Sequence, residues 1–455
     1  MSRIFWFLKD LRLQDNQALT HAANLANGDE DKTLYPVFFL PKDYSDQTPL
    51  RQHSVFASVQ ALSLDLQKRL SVFDKDPREA MASIAKALGA TSVVATESFD
   101  KKGIAEQVLV FEALAKIGIE LELVGSNYAV VPGSVRKDDG THVRVYSPFY
   151  KRWLMELDVR PFELDIESVM WAKSPESFDF AAPESQSPFE VKAGEAFARR
   201  TFARFQKRAL TDYSQQRNRM DLSGTSQLSH ALSRGEIHPR TLLAQLGNSE
   251  GEEVFRKEIA WREFYADVLF HNPDTETDYY EPRFEKMRYS DPIKDATLLE
   301  AWQQGKTGYP AVDAAMRQLI TTGWMHNRAR MMTASFLVKD LHFEWQVGAD
   351  WFEKHLTDFD PASNAHGWQW TAGCGTDASP YYRVFNPILQ GQKFDPNGDY
   401  VRKYVPELEH ISGGQVHEPW LLIDGLAHGY PAPILNHATE RIESLARLEE
   451  IKAKN

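Results

Sequence analysis

Residues 171–192 read WAKSPESFDFAAPESQSPFEVK, and the chain changes character across them. Pro175, Pro183 and Pro188 stand among Ser, Glu and Asp, a composition that predicts a surface linker. On the N-terminal side, short apolar runs alternate with helical patterns. Residues 3–8, 34–40, 91–95 and 120–124 read as strands, and 54–70, 103–117 and a segment ending at Gly89 read as helices. Parallel strands need long crossovers, usually helical, so this alternation predicts a mostly parallel, doubly wound α/β sheet. On the C-terminal side, apolar residues recur with helical spacing over 194–207, 252–271, 311–322 and 328–341, and 438–452 reads as a last amphipathic helix. The expected organisation is an α/β domain over 1–130, an interdomain linker over 131–193 and a larger all-α domain over 194–455.

Composition narrows the class. Of the 455 residues 42% are apolar, as in an ordinary globular protein. No apolar run reaches the ~20 residues of a membrane helix, and residues 1–13 lack the long apolar core of a signal peptide. Cys374 is the single cysteine, which excludes an intramolecular disulfide and a multi-thiolate zinc site, so a reducing cytoplasm is the expected location. The net charge of −12 argues by itself against nucleic acid, whose phosphates are met by basic surfaces. The 11 tryptophans point instead to something to stack on.

The common motifs are absent. No G-x-G-x-x-G opens a helix after a strand, and there is no H-E-x-x-H or G-x-S-x-G. Gly305-Lys306-Thr307 resembles the end of a P-loop, but Glu300 stands where the loop's first glycine belongs.

Four segments of the helical region carry unusual chemistry. Gly224-Thr225-Ser226-Gln227-Leu228-Ser229 sets hydroxyls before an apolar run. This reads as a plain N-cap or as an anion cradle at a helix start. Glu258, Trp261 and Arg262 share one helical face, as do Asn327, Arg330 and Met331. Asp358, Asp360, Asn364, Trp368 and Trp370 lie close together, and Asp358 is the expected mate of Arg330, because a buried charge needs a partner. Paired charges, amides and indoles suit a large heteroaromatic ligand.

In this order, the segments resemble the photolyase–cryptochrome family. Further strings carry the resemblance: Gly305-Lys306-Thr307-Gly308-Tyr309-Pro310, Val312-Asp313-Ala314-Ala315-Met316-Arg317, Gly323-Trp324-Met325-His326-Asn327-Arg328 and Gly367-Trp368-Gln369-Trp370. Gly375-Thr376-Asp377-Ala378 and Pro380-Tyr381-Tyr382-Arg383-Val384-Phe385-Asn386-Pro387 look like the microbial class I cyclobutane dimer photolyases, and Lys9-Asp10-Leu11-Arg12-Leu13 with Asp15-Asn16 also matches. The resemblance implies FAD in the helical domain and light-driven splitting of pyrimidine dimers in UV-damaged DNA, with no obligate protein partner and a monomer sufficing. It implies FAD contacts at Tyr213, Thr225, Ser226, Gln227, Leu228 and Ser229 around the phosphates, where Gln227 replaces the arginine of many relatives. Arg330 paired with Asp358, Asp360, and Asn364 at flavin N5 complete the set.

For the substrate, it implies Glu258 hydrogen-bonded to the dimer, Asn327 and Met331 lining its pocket, and Trp261 and Trp370 as an apolar wall. Trp368 and Trp345 match the first two members of the family's electron-transfer chain. The third has no tryptophan here, and Tyr289 is the nearest aromatic. Arg328, Lys393, Arg402 and Lys403 are candidates for DNA phosphates. The folate pattern is not evident around residues 102–105, so a second, antenna chromophore (deazaflavin, folate or flavin) is left open in identity and presence. The rival readings are a blue-light sensor of the cryptochrome type, a (6-4) photolyase, and a flavoprotein that marks lesions without cutting them.

Overall fold

In Ser2–Phe7, the first strand (β1), Ile4 and Trp6 pack on one side and Phe5 and Phe7 on the other, and all four are buried. A strand apolar on both faces belongs at the centre of a sheet covered on both sides. The computed structural model, which describes residues 2–184, 186, 190–377 and 382–453, places it there. β2 (Thr33–Phe39), β3 (Ser71–Phe73), β4 (Ala90–Ala95) and β5 (Glu120–Leu123) give the order β3-β2-β1-β4-β5, every pairing parallel. The helices Gln17–Gly28 and Pro49–Asp65 bury their apolar faces with Phe5 and Phe7, and Pro77–Ala87 and Lys101–Ala115 bury theirs with Ile4 and Trp6. The sheet is therefore doubly wound, as the alternation predicted.

Several expectations are corrected. The linker reading fails for its first part. Met170–Trp171 is a strand (β6) paired parallel with β2, the Phe178 N–H donates to the Val72 carbonyl (2.7 Å), and Phe180 is buried against Tyr44 and Phe56. Pro175 and the serines suggested exposure, but sheet-edge N–H and C=O groups need partners and this segment supplies them. Residues 131–193 also contain the helix Tyr146–Glu156, which buries Trp153 completely. The helix Gln17–Gly28 and strand β3 were missed, and the helix expected over 54–70 runs Pro49–Asp65, ending before Gln67 and Lys68 at positive φ. Pro188, Ala378, Pro380 and Tyr381 lie outside the described residues.

Compactness divides the chain differently from composition. One unit comprises Met1–Thr211 with Ser226–Pro273, the other Asp212–Thr225 with Asp274–Asn455. Buried carboxylates explain why residues beyond 194 belong with the sheet. Glu195 accepts from the Leu13 and Gln14 N–H groups, and Asp15 accepts from Arg240 (2.8 Å) and Thr241 (2.6 Å). Glu263, on the helix Glu250–His271, accepts from Ala129 N (2.6 Å), Val130 N (3.0 Å) and Trp153 Nε1 (2.6 Å).

The other unit is helical, packed around Pro310–Thr322 and Asn327–Lys339. The string that imitated a P-loop is structural. Buried Asp313 accepts from Thr307 N (2.7 Å), Thr307 Oγ1 (2.6 Å), Gly308 N (3.0 Å) and the Tyr430 hydroxyl (2.5 Å), tying the 305–310 loop to the helix that follows. No described helix is long and apolar enough to cross a membrane.

Glu263→Ala strands three donors in a dry environment. It is expected to destabilise its unit by about 3 kcal/mol or more, read as a lower urea midpoint in circular dichroism.

Candidate functional site

The helix Asn327–Lys339 begins at a histidine cap. His326 Nδ1 accepts from Arg328 N (3.1 Å), which requires an unprotonated ring, and burial followed by the charges of Arg328 and Arg330 pushes its pKa down to about 4. Along this helix Asn327 is exposed and Arg330 and Met331 are half-buried, so the predicted face exists. Arg330 donates from Nη2 to Asp358 Oδ2 (2.7 Å) and from Nε to the Met325 carbonyl (2.8 Å). The Asp358 side chain is 0% exposed. Its Oδ1 has no hydrogen-bond partner among the described residues.

Asp360 caps the helix Pro361–Ala372, accepting from Ser363 N (2.8 Å). One turn on, Asn364 donates to the Ala349 carbonyl (3.1 Å), which fixes its amide. Trp368, one further turn along, is buried against Phe352 and Trp302, and its indole N–H has no partner among the described residues. It also occupies the space a side chain at Gly348 would need, since a Cβ there would lie 2.1 Å from the ring. Trp370 is half-buried and donates to the Asp377 carbonyl (3.1 Å).

Within the sheet-bearing unit, the helix Glu250–His271 carries Glu258, Trp261 and Arg262, all half-buried. Trp261 stacks on Tyr146 with centroids 3.7 Å apart and planes 6° from parallel, and Arg262 lies over the Tyr128 ring at 4.5 Å. Tyr146 was missed because its stretch read as linker; the aromatic density of Tyr146, Phe149, Tyr150 and Trp153 was the available signal. The N-cap reading of 224–229 is corrected. The helix Ser229–Arg234 has Leu228 at its cap position with no side-chain bond, while Ser226 Oγ accepts from Leu228 N at 3.4 Å. Gln227 is exposed at φ 54°. The hydroxyls of this segment therefore do not serve as the helix cap.

In the helical unit, Thr225 is half-buried and Tyr213 is buried, its phenol pushed up to about 12 by desolvation. Arg328 donates to Asn218 Oδ1 (2.8 Å) and lies over Phe394, while Lys393 and Lys403 are exposed. Arg402 is bound to Asp399 (2.6 Å) and to the carbonyls of Asn397, Ile411 and Gly413. It holds a loop through these bonds. Trp345 is buried, and Tyr289 is half-buried with its hydroxyl donating to the Phe284 carbonyl (3.0 Å). Among the described residues no group of acidic, histidine and cysteine side chains could hold a metal ion.

These residues fit a flavin nucleotide. An unmatched buried carboxylate oxygen is costly unless a ligand donor meets it. Asp358 has one beside a fixed guanidinium, and Asn364 adds an oriented amide on the next helix. A ring system with alternating donors and acceptors answers that set.

Comparisons with known proteins agree. A family model described as the FAD binding domain of DNA photolyase matches residues 255–450, and one described as DNA photolyase matches 3–168. A deoxyribodipyrimidine photo-lyase of Alkalihalophilus pseudofirmus is 34% identical over 97% of this chain and 96% of its own. That of Escherichia coli is 34% identical over 98% of each chain. The crystal structure of a bacterial class III photolyase from Agrobacterium tumefaciens superposes with a TM-score of 0.86 at 34% identity, covering 99% of this chain and 98% of that one.

Arg330→Ala leaves the Asp358 carboxylate buried without its cation. It is expected to cost about 3 kcal/mol or more, with part regained in the Arg330→Ala, Asp358→Asn double variant. Urea titration of the four proteins checks this.

Proposed function

Because the chain belongs to the DNA photolyase family, we propose specific roles for its residues in light-driven repair of cyclobutane pyrimidine dimers, with FAD as cofactor. The observation that carries the reading is half-buried Arg330 paired with buried Asp358, whose Oδ1 has no partner among the described residues, just before the helix that carries Asn364. Bound, reduced FAD supplies on excitation the electron that weakens the bonds joining the two pyrimidines.

The protein's part is position and field. Arg330 and Asp358 orient the isoalloxazine and hold a fixed charge beside it. Asn364 meets flavin N5 with an amide, which has no acidic proton to give, and so favours the anionic reduced form. Tyr213, Thr225, Ser226, Gln227, Leu228 and Ser229 attend the phosphates, and Asp360 the sugar chain. Glu258 hydrogen-bonds the dimer where negative charge develops, the logic of an oxyanion site. Asn327 and Met331 line the substrate position, and Trp261 and Trp370 give it apolar surface. Photolyases extrude their target from the duplex, and a poorly stacked dimer costs less to extrude. Arg328, Lys393 and Lys403 are proposed to meet phosphates.

The class I branch rests on Gly375, Thr376 and Asp377. A second chromophore is proposed for the sheet's topological switch point, outside the C-terminal ends of β1 and β4, where doubly wound folds place their ligands. A monomer acting on damaged DNA in the cytoplasm completes the proposal. A blue-light sensor would have no use for Glu258, Asn327, Met331 and Trp370 together, and this favours repair over that rival.

The test is repair of a dimer-containing oligothymidine under blue light, with a dark control. Light-dependent recovery of thymine absorbance is the expected result, and its absence with reduced FAD bound would remove the assignment. Glu258→Ala is expected to lower the repair yield per absorbed photon while FAD stays bound, checked by absorbance of the purified variant. Trp368→Phe is expected to block photoreduction of oxidised FAD, and dithionite reduction should bypass the block.

A further inference from the structure

The proposed electron path lacks a third tryptophan, but the structure supplies a different terminus. Trp368 packs on Gly348, one helical turn from Trp345 in the helix Trp345–His355. On from Trp345 comes Tyr279, in edge-to-face contact at a centroid distance of 6.2 Å. The Tyr279 hydroxyl donates to Glu344 Oε1 (3.2 Å), the residue just before Trp345 in the chain. Beyond it, Tyr289 stacks on Tyr279 with centroids 6.3 Å apart and planes at 22°. Tyr279 is buried, whereas Tyr289 and Glu344 are half-buried and reach solvent.

We propose that Tyr279 is the electron donor to Trp345 and Glu344 the base that takes its proton, with Tyr289 the outlet to solvent. The inference rests on the flavoenzyme reading above. A tryptophan that has lost an electron can recover it from a phenol only if the phenolic proton leaves as well, because a protonated phenol radical is a very strong acid. The Tyr279–Glu344 hydrogen bond supplies that exit at the site of oxidation. The balance is one electron from Trp368 toward the excited oxidised flavin, one from Trp345 to Trp368, and one from Tyr279 to Trp345. The Tyr279 proton goes to the Glu344 carboxylate, leaving a neutral phenoxyl radical and a carboxylic acid. A small thiol from solvent then gives a hydrogen atom, through Tyr289 or directly, and becomes a thiyl radical; the Glu344 proton returns to solvent.

Burial suits this role. The phenols of Tyr279 and Tyr289 are both raised above the ordinary tyrosine range, by desolvation first, so each is held protonated until oxidised. Tyrosines left as phenolate would be oxidised without a base, and Glu344 would then have no part. Arg288, beside Tyr289, is held away from this function by ion pairs to Glu443 and Glu450.

Flash excitation of the oxidised, FAD-loaded enzyme, followed by electron paramagnetic resonance with and without ring-deuterated tyrosine, tests this. The expected result is a neutral tyrosyl radical whose spectrum narrows on tyrosine deuteration. It should be lost in Tyr279→Phe and in Glu344→Gln, and retained in Tyr289→Phe with slower quenching by added thiol. A wild-type signal due to tryptophan alone, unmoved by tyrosine deuteration, overturns the proposal even if the Tyr279→Phe variant fails to fold. So does an unchanged tyrosyl signal in folded Tyr279→Phe. Repair by dithionite-reduced wild-type enzyme is scored separately. Repair without a tyrosyl radical sinks only the relay, whereas no repair sinks the reading beneath it.

Discussion

A carboxylate withdrawn from water must find charge and hydrogen bonds inside the protein, and among the described residues Asp358 finds them on one oxygen only. That requirement organises its surroundings. Arg330 must sit within reach, so the helix Asn327–Lys339 must start where it does, and the Met325 carbonyl steadies the guanidinium from the preceding turn. Burial, helped by the charges of Arg328 and Arg330, holds His326 neutral, and neutrality lets its ring cap that helix. The second oxygen of Asp358 remains as an acceptor that a ligand donor can satisfy. Stability and the proposed cofactor recognition thus draw on one pair of side chains.

Carboxylates serve as internal hubs elsewhere in the chain. Asp15 and Glu263 each gather three or more donors from distant segments, and Asp313 gathers three from the nearby Thr307–Gly308 turn and one from distant Tyr430. This reconciles the formal charge of −12 with a DNA substrate. Among the described residues ten Asp and Glu are buried, against three Lys and Arg, so much of the acidic excess is inside. Lys393 and Lys403, proposed above for phosphates, are exposed.

Local patterns read well from sequence where the local pattern was itself the cause. Strand alternation in residues 3–8 reflects a two-sided core, and the helical period over 311–322 and 328–341 reflects one-sided burial. The candidate site was legible because its residue types are expensive to keep for any other reason: Arg330 with Asp358, and indoles beside Asn364. Reading failed where a distant partner overrode composition. Residues 171–180 look like linker, yet the open edge of β2 and β3 recruits them. Tyr146 and Trp153 lie in the same misread stretch, and nothing local announces that Trp261 and Glu263 await them.

Sequence alone therefore determined the doubly wound sheet and the helical second half, which follow from periodicity, and the family, which follows from strings that resemble it. Tertiary structure decided how those residues are used. It showed Arg402 bound to its own loop and the 305–310 string folded onto Asp313, and it brought Tyr279 between Trp345 and Tyr289. The Tyr279–Trp345 contact, like that of Tyr430 with Asp313, joins segments far apart in the chain. Such contacts are set by the packing of whole elements, and no local pattern encodes them.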